Sequence, residues 1–339
     1  MDPTFLRLIG LRLLAIPLSL LVVATFAFAL VALIPGDPAV QILGQFATPE
    51  ELDRLRAELG LDRTAAERYV IFIGHLLEGD LGTSFQSRRP VLEEIGRHLP
   101  ATVELVVLAT FGAVAIGLVM GGIGAWYRGR WPDRVASGGI TLFQSIPDFL
   151  LALLLIFALF FVLRLVPPPV GRLGFGASAP PAVTGMLLVD SLLAGQYATF
   201  RRVAAASLLP VLALSVVYSA YIAKISRTTI SAALNSDQAL YARACGLSEW
   251  KVFGYALKQA RTPILTYGAI LFGSLIGGAA IIETIFAWRG VGEWALKSML
   301  TLDVPAIQGF VIVAGAITLV LYLVLDILVL LLDPRIRLQ

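Results

Sequence analysis

The sequence predicts an all-α membrane protein with six transmembrane helices and both termini on the cytoplasmic side. Two observations carry this expectation. The first is composition: 58% of the 339 residues are hydrophobic and 14% are charged, with a mean hydropathy of +0.85. Soluble domains average about 45–50% apolar and about 25% charged residues. The second is a series of apolar runs near the length that crosses a bilayer, at 10–34, 101–125, 138–164, 204–224, 264–287 and 309–332. The orientation follows from the short basic loops and the basic termini. Arg7 and Arg12 precede the first run, and Arg128, Arg130 and Arg134 fill the second-to-third link. Lys224, Arg227, Arg243, Lys251, Lys258 and Arg261 lie between the fourth and fifth, and Arg335 and Arg337 end the chain. In a six-span chain all four groups share one side, which the positive-inside rule makes cytoplasmic.

The elements follow in order. The first run, within segment 1–34, is too long for a removed signal peptide and lacks a small-residue cleavage site. Residues 35–100 form an extracytoplasmic helical cap, opened by the turn Pro35-Gly36-Asp37-Pro38. Thr48-Pro49-Glu50-Glu51 has the form of a capping box with proline at the first helical position. Leu52, Leu55 and Leu59 then recur at helical spacing up to the stop at Gly60. A second amphipathic helix over 65–77 carries Tyr69, Phe72, Ile73 and Leu76 on one side. Residues 101–339 hold the other five spans, and the excursion at 165–203, opened by Pro167-Pro168-Pro169, reads as irregular. Gly117 with Gly121, and Gly273 with Gly277, are four apart, a spacing that lets helices approach closely, within the chain or against a partner.

Most chemistry is excluded. A net charge of +3 is too small to suggest nucleic-acid binding, and a single cysteine, Cys245, rules out an internal disulfide or a cysteine-based metal cluster. His75 and His98 lie far apart in sequence. No phosphate-cradling glycine loop ending in Lys-Ser/Thr, no HExxH and no GxSxG is present. We therefore expect no catalytic residue, cofactor or metal site in this chain. No inverted repeat with matched broken helices is evident either, so an external energy source is the simpler account than a stand-alone secondary transporter.

The segment 237–250 is the wrong material for a span. It is alanine-rich, interrupted by Gly246 and followed by Lys251 and Lys258. Small side chains make it a thin rod suited to a groove on another protein. Polar groups inside the apolar runs are costly in hydrocarbon and tend to face a partner or water. Ser145-Ile146-Pro147-Asp148 admits two readings: Ser145 and Asp148 cap a helix, or a broken helix presents the Asp148 carboxylate to a pathway. Glu283 likewise lines a pathway or makes an outer structural contact. Asp326 reads as a buried pairing group, and Glu104 as a headgroup-level residue with no special role.

An ordered series of landmarks then resembles the first membrane permease of the peptide and nickel (dipeptide/oligopeptide) branch of ABC importers. It includes Leu33-Ile34-Pro35-Gly36-Asp37-Pro38-Ala39, Gly79-Asp80-Leu81-Gly82-Thr83-Ser84, Leu99-Pro100-Ala101-Thr102 and Asp190-Ser191-Leu192-Leu193-Ala194-Gly195. Ala242-Arg243-Ala244, Gly246-Leu247-Ser248, Glu283-Thr284-Ile285-Phe286 and Leu332-Asp333-Pro334-Arg335 complete it. The resemblance implies a type I importer permease fold in a bacterial or archaeal cytoplasmic membrane. It implies a second homologous permease as heterodimer partner, two ATP-binding subunits or one fused pair that hold ATP and Mg, and an extracytoplasmic solute-binding protein. It assigns ATPase coupling to Asp237, Ala242, Arg243, Ala244, Gly246, Leu247 and Trp250, and makes Ser145, Asp148 and Glu283 candidate pathway-lining residues. Peptides are the implied cargo, with nickel chelates or another small solute as the alternative. The family usually has a basic residue where Cys245 stands and proline where Arg289 stands; Arg289 is expected to pair with Glu283 or Glu293.

Overall fold

A computed structural model describes residues 3–33, 36–44, 46–174, 176 and 178–332, the side chains of 3–9, 11–13, 41, 326 and 328–332 excepted. The tail arginines Arg335 and Arg337, the motif from Asp333 to Arg335, residues Ile34 and Pro35, and the side chains of Arg7, Arg12 and Asp326 lie outside that description. Among the described residues every regular element is a helix, and there is no strand. Its elements are α1 (Pro3–Leu33), α2 (Pro38–Leu43), α3 (Pro49–Glu58), α4 (Ala65–Leu77), α5 (Val91–Trp126), α6 (Trp131–Ser145) and α7 (Asp148–Leu155). After a π-helical continuation over Ile156–Val162 come α8 (Leu187–Leu193), α9 (Tyr197–Leu234), α10 (Asp237–Ala244), α11 (Glu249–Gly278), α12 (Ala280–Ile285), α13 (Val291–Leu300) and α14 (Val304–Leu332).

Four stretches are long and apolar enough to cross a membrane: Leu14–Leu33, Val91–Trp126, Tyr197–Leu234 and Val304–Leu325. A fifth is the pair Trp131–Ser145 and Asp148–Val162, bent by 101° at its break. The remaining apolar run, 264–287, is shared between α11 and α12, which part at Ala279.

The residues cluster into two compact units, 1–100 with 289–320, and 101–288 with 321–339. In the first unit, Thr48 accepts a bond from the Glu51 N–H (3.3 Å) while the Glu51 carboxylate accepts from the Thr48 N–H (2.9 Å). That is the expected capping box. Thr64 and Glu67 repeat it at the start of α4. These bonds hold both glutamates below the ordinary carboxylate range, for Glu51 mainly through the Thr48 backbone and for Glu67 mainly through the Thr64 hydroxyl. Gly60, at φ +64°, closes α3, with the Leu61 N–H donating to the Arg56 carbonyl (2.8 Å). The apolar side of α4 packs on α1, with Phe28 edge-on to Tyr69 at 5.2 Å and tilted against Phe72 at 5.7 Å. Val91, Ile95, Val291, Ala295 and Phe310 make the unit's buried core. Asp303 stitches a loop to α14 by accepting from the Ser84 hydroxyl (2.6 Å) and the N–H groups of Phe85 and Gln86.

The second unit is built around α9. A Cβ on Gly117 would lie 2.6 Å from Ile222, and one on Gly121 would lie 2.6 Å from the Ala223 carbonyl, so α5 and α9 meet backbone to backbone. The glycine spacing in the second span therefore serves packing within the chain. Gly277, by contrast, has open space where a Cβ would stand.

The Asp133 carboxylate accepts from Arg227 Nε (2.7 Å) and Nη2 (3.0 Å), and also from the Gly129 N–H (2.9 Å). Arg227 thus belongs to a helix, and the expected loop between the fourth and fifth spans is largely helical, from the end of α9 through α10 into α11. The 165–203 excursion is irregular as expected over the described residues up to Met186, and then gives way to α8 and to the first seven residues of α9.

Candidate functional site

Two neighbourhoods in the second unit carry the expected functional residues. The first is the α9–α10–α11 turn. Ser236 caps α10 by accepting from the Ala239 N–H (3.3 Å). Eight residues later the helix ends in a paired turn. The Leu247 N–H donates to the Ala242 carbonyl (3.1 Å), and the Gly246 N–H to that of Arg243 (2.9 Å). This arrangement places its penultimate residue in the left-handed region, and Gly246 sits there at φ +78°. Ser248 then precedes α11, so Trp250 lies in the first turn of α11 and not in the contact helix.

Within the turn the side chains divide by role. Ala239 is buried, and Ala242 and Arg243 are half-buried. Arg243 grips Glu249 through Nε (2.8 Å) and Nη2 (3.2 Å) and donates from Nη1 to the Leu234 carbonyl (3.0 Å). One side chain thereby fastens the end of α9 to the start of α11. The Glu249 carboxylate raises the Arg243 guanidinium above its ordinary range, and Arg243 holds Glu249 below the usual carboxylate range. Asp237, Ala244, Cys245 and Gly246 are exposed and Leu247 is half-buried. Cys245 is therefore a surface thiol, not the small buried one its place among alanines suggests.

The residues that project most are apolar. Leu240 is 65% exposed, Tyr241 73% and Trp250 74%. Trp250 keeps that exposure while stacked on Trp126 at 4.7 Å, with Phe253 edge-on to Trp126 at 4.9 Å. Leu240 and Tyr241 were not among the expected contact residues. Their signal in the sequence was simply two large apolar side chains in an otherwise small, polar helix.

The second neighbourhood is the break between α6 and α7. Ser145 does not cap α7; its hydroxyl donates back to the Thr141 carbonyl (2.8 Å) and ends α6. Pro147 takes the cap position, and Asp148 becomes the first residue of α7, with its carboxylate accepting from the Phe149 N–H (2.8 Å). The capping box expected across Ser145 and Asp148 is absent because the chain bends sharply between them. The other Asp148 oxygen lies 3.5 Å from the Tyr218 hydroxyl, and Tyr218, Tyr221 and Tyr267 follow one another with ring centroids 6.2 and 6.4 Å apart.

Glu283 is not brought to this group. It is 0% exposed and accepts from the Thr102 hydroxyl (2.5 Å), while the Trp288 indole beside it donates to the Ala101 carbonyl (2.8 Å). Arg289 meets Glu293 through its backbone N–H (2.8 Å), at φ +58°, a conformation proline cannot adopt.

Two further acids are structural. Glu104, expected to rest at headgroup level, is buried and accepts from the Leu188 N–H (2.6 Å), with Arg172 at 3.5 Å. Burial pushes Asp190 upward, but bonds from the Thr184 N–H and hydroxyl and the Gly185 N–H outweigh it and hold the carboxyl below its usual range. No cluster of three metal-ligating side chains occurs among the described residues.

Residues 113–338 match the family model described as binding-protein-dependent transport system inner membrane component, and residues 5–106 match the N-terminal model of the same system. The chain belongs to this family. It is accordingly a non-catalytic, multi-pass inner-membrane component of an ABC importer.

Its similar proteins include the probable D,D-dipeptide transport system permease protein DdpB of Escherichia coli K12. That protein is 37% identical over 315 residues, covering 93% of this chain and 92% of the relative. The dipeptide transport system permease protein DppB of the same organism is 34% identical, over 94% of this chain and 96% of its own. DppB of Alkalihalophilus pseudofirmus is 33% identical, over 91% and 93%. Among solved structures, the crystal structure of an amino acid ABC transporter with histidines aligns with 72% of this chain and 94% of that one, at 21% identity and a TM-score of 0.48.

Proposed function

We propose that this inner-membrane component is one half of a heterodimeric permease that passes di- or oligopeptides, delivered by a solute-binding protein, into the cytoplasm of a bacterium or archaeon. The single observation that carries the cargo assignment is the match over more than nine-tenths of the chain to relatives named for dipeptide transport. Nickel chelates or another small solute are the second reading, drawn from the wider branch that the landmarks resemble.

The α10 turn is the coupling element in this reading. Leu240, Tyr241 and Trp250, with Ala244, Gly246 and Leu247, offer a small apolar surface to an ATP-binding subunit. Ala242, Arg243 and the helix start at Asp237 hold its shape. Closure of two ATPases on ATP moves the docked turns, and each passes that movement to α9 and α11. Inverting an access equilibrium from 1:99 to 99:1 needs about 5.5 kcal/mol of differential binding, so the turn must transmit force without yielding. The cap at 35–100 and the loop at 165–203 lie on the outer side and receive the solute-binding protein.

Asp148 stands at the break in a span, beside the hydroxyl of Tyr218. A carboxylate and aromatic faces at that depth suit the ammonium end of a peptide, held weakly enough to be released. Ser145 shares the break. Glu283, fully buried against Thr102, stands outside this group and is not assigned to the pathway.

The test is reconstitution of the chain with its partner permease, ATPase and binding protein in proteoliposomes. Peptide uptake that needs ATP and the binding protein supports the assignment. Uptake of a nickel chelate but not of dipeptides would transfer the cargo to the second reading, and flux without ATPase subunits would overturn both.

A further inference from the structure

The first unit encloses a cavity of about 530 Å³, within the range of small-molecule sites. Phe28 from α1 and Ile71 and Phe72 from α4 supply apolar wall, together with Leu302. Its charged lining is uneven. Glu58 is taken by Arg54 (3.4 Å), and Asp80 accepts from the Gly82 N–H (2.8 Å) with His75 at 3.7 Å. Among the described residues, the two arginines on the wall, Arg63 and Arg68, have no carboxylate within ion-pair distance, and Arg63 acts on Glu67 only at longer range. Arg68 goes further, because its Nε is buried without a hydrogen-bond partner. A desolvated guanidinium N–H left unpaired is costly, so the site is incomplete as it stands. A planar fork of such donors matches the oxygens of a phosphate.

The cavity's place in the chain narrows the source of that phosphate. Its α1 wall lies in the last two turns of the apolar stretch Leu14–Leu33, where hydrocarbon gives way to headgroups. The cavity therefore joins an apolar wall at acyl depth to two cations, Arg63 and Arg68. We propose that the cavity binds an anionic membrane phospholipid, with its phosphate on Arg68 and Arg63 and its first acyl carbons against Phe28, Ile71 and Phe72. The inference rests on α1 being a membrane span and is independent of the cargo assignment.

The intact transporter, purified in mild detergent, would be offered phosphatidylglycerol, phosphatidylcholine or inorganic phosphate, and bound lipid counted by native mass spectrometry. Phosphatidylglycerol should be retained about tenfold over phosphatidylcholine, and Arg68→Gln should remove most of that preference. Arg63→Gln, an exposed site that leaves the fold intact, should weaken it in the same direction. Equal retention by wild type and both variants would overturn the proposal. Displacement of the lipid by millimolar inorganic phosphate would overturn it too, by making this a site for a free anion. So would displacement by the solute-binding protein, which would give the cavity to that partner. Because binding is read without transport, loss of peptide uptake with lipid still bound would sink the cargo assignment alone.

Discussion

Replacing Gly246 by valine separates backbone geometry from side-chain bulk at the α10 turn. Gly246 holds φ +78°, and a Cβ added there would meet no heavy atom within 4 Å. No internal clash arises, so the whole penalty comes from forcing a β-branched residue into the left-handed region. That costs about 1–3 kcal/mol, and one or two kcal/mol corresponds to a factor of about 5–30 in population. Relief by a change in φ would break the bonds from Leu247 to Ala242 and from Gly246 to Arg243, and would carry Arg243 off Glu249. In proteoliposomes, binding-protein-stimulated ATP hydrolysis and peptide uptake should both fall by about tenfold while the chain still inserts. Gly246→Asn is the control, because asparagine tolerates left-handed backbone, and it should stay within about twofold of wild type. Normal coupling in the valine variant would refute the reasoning. Equal loss in both variants would mean that the partner subunit rejects any side chain at this point, whatever the backbone does.

The outer cap is tested by cysteine labelling with an impermeant reagent. Arg54, 82% exposed, is a better site than Arg56, which is held by Asp37 at 2.6 Å, and Arg54→Cys should label in intact cells. Thr48→Ala should cost the cap about 1 kcal/mol, seen as faster proteolysis within 49–58. Asp148→Asn should slow uptake of free-amine peptides more than of amino-blocked ones without changing the binding protein's affinity; equal slowing would leave Asp148 as a helix-end residue only. Gly121→Leu should drive a side chain into the Ala223 carbonyl 2.6 Å from the Cβ. Overpacking of this kind costs about 1–3 kcal/mol or more and should lower the yield of assembled complex; wild-type yield and stability would show that α5 and α9 can separate there.

What the sequence made legible were features encoded within a turn or two of chain. Thr48 with Glu51, the α4 apolar face and the glycine stop at 60 depend on neighbours three or four residues away, and each was readable. Apolar runs of span length were equally plain. The buried acids were not. Glu104 meets Leu188 and Asp133 meets Arg227, pairings 84 and 94 residues apart that no periodicity encodes. The direction each α10 side chain takes was hidden for a related reason. Which face of an alanine-rich helix turns outward depends on Arg243 anchoring it to Leu234 and Glu249, and so on where two long helices converge. At Ser145 the capping pattern fails because the chain bends by 101° at Ile146-Pro147, and the Ser145 hydroxyl turns back to the Thr141 carbonyl.

The length of α9 has a consequence for reach. At about 1.5 Å per residue its 38 residues extend about 57 Å, nearly twice the hydrocarbon thickness of a bilayer. If the membrane takes the stretch 204–224, the ten residues from Ile225 to Leu234 form a stalk of about 15 Å beyond it. The α10 turn would then stand clear of the lipid headgroups, where a soluble subunit can close on it without dragging a surface across the bilayer. Stalk length becomes a gauge for the assembly: removing one helical turn would draw the turn about 5 Å toward the membrane and rotate it little, changing the gap without changing a single contact residue.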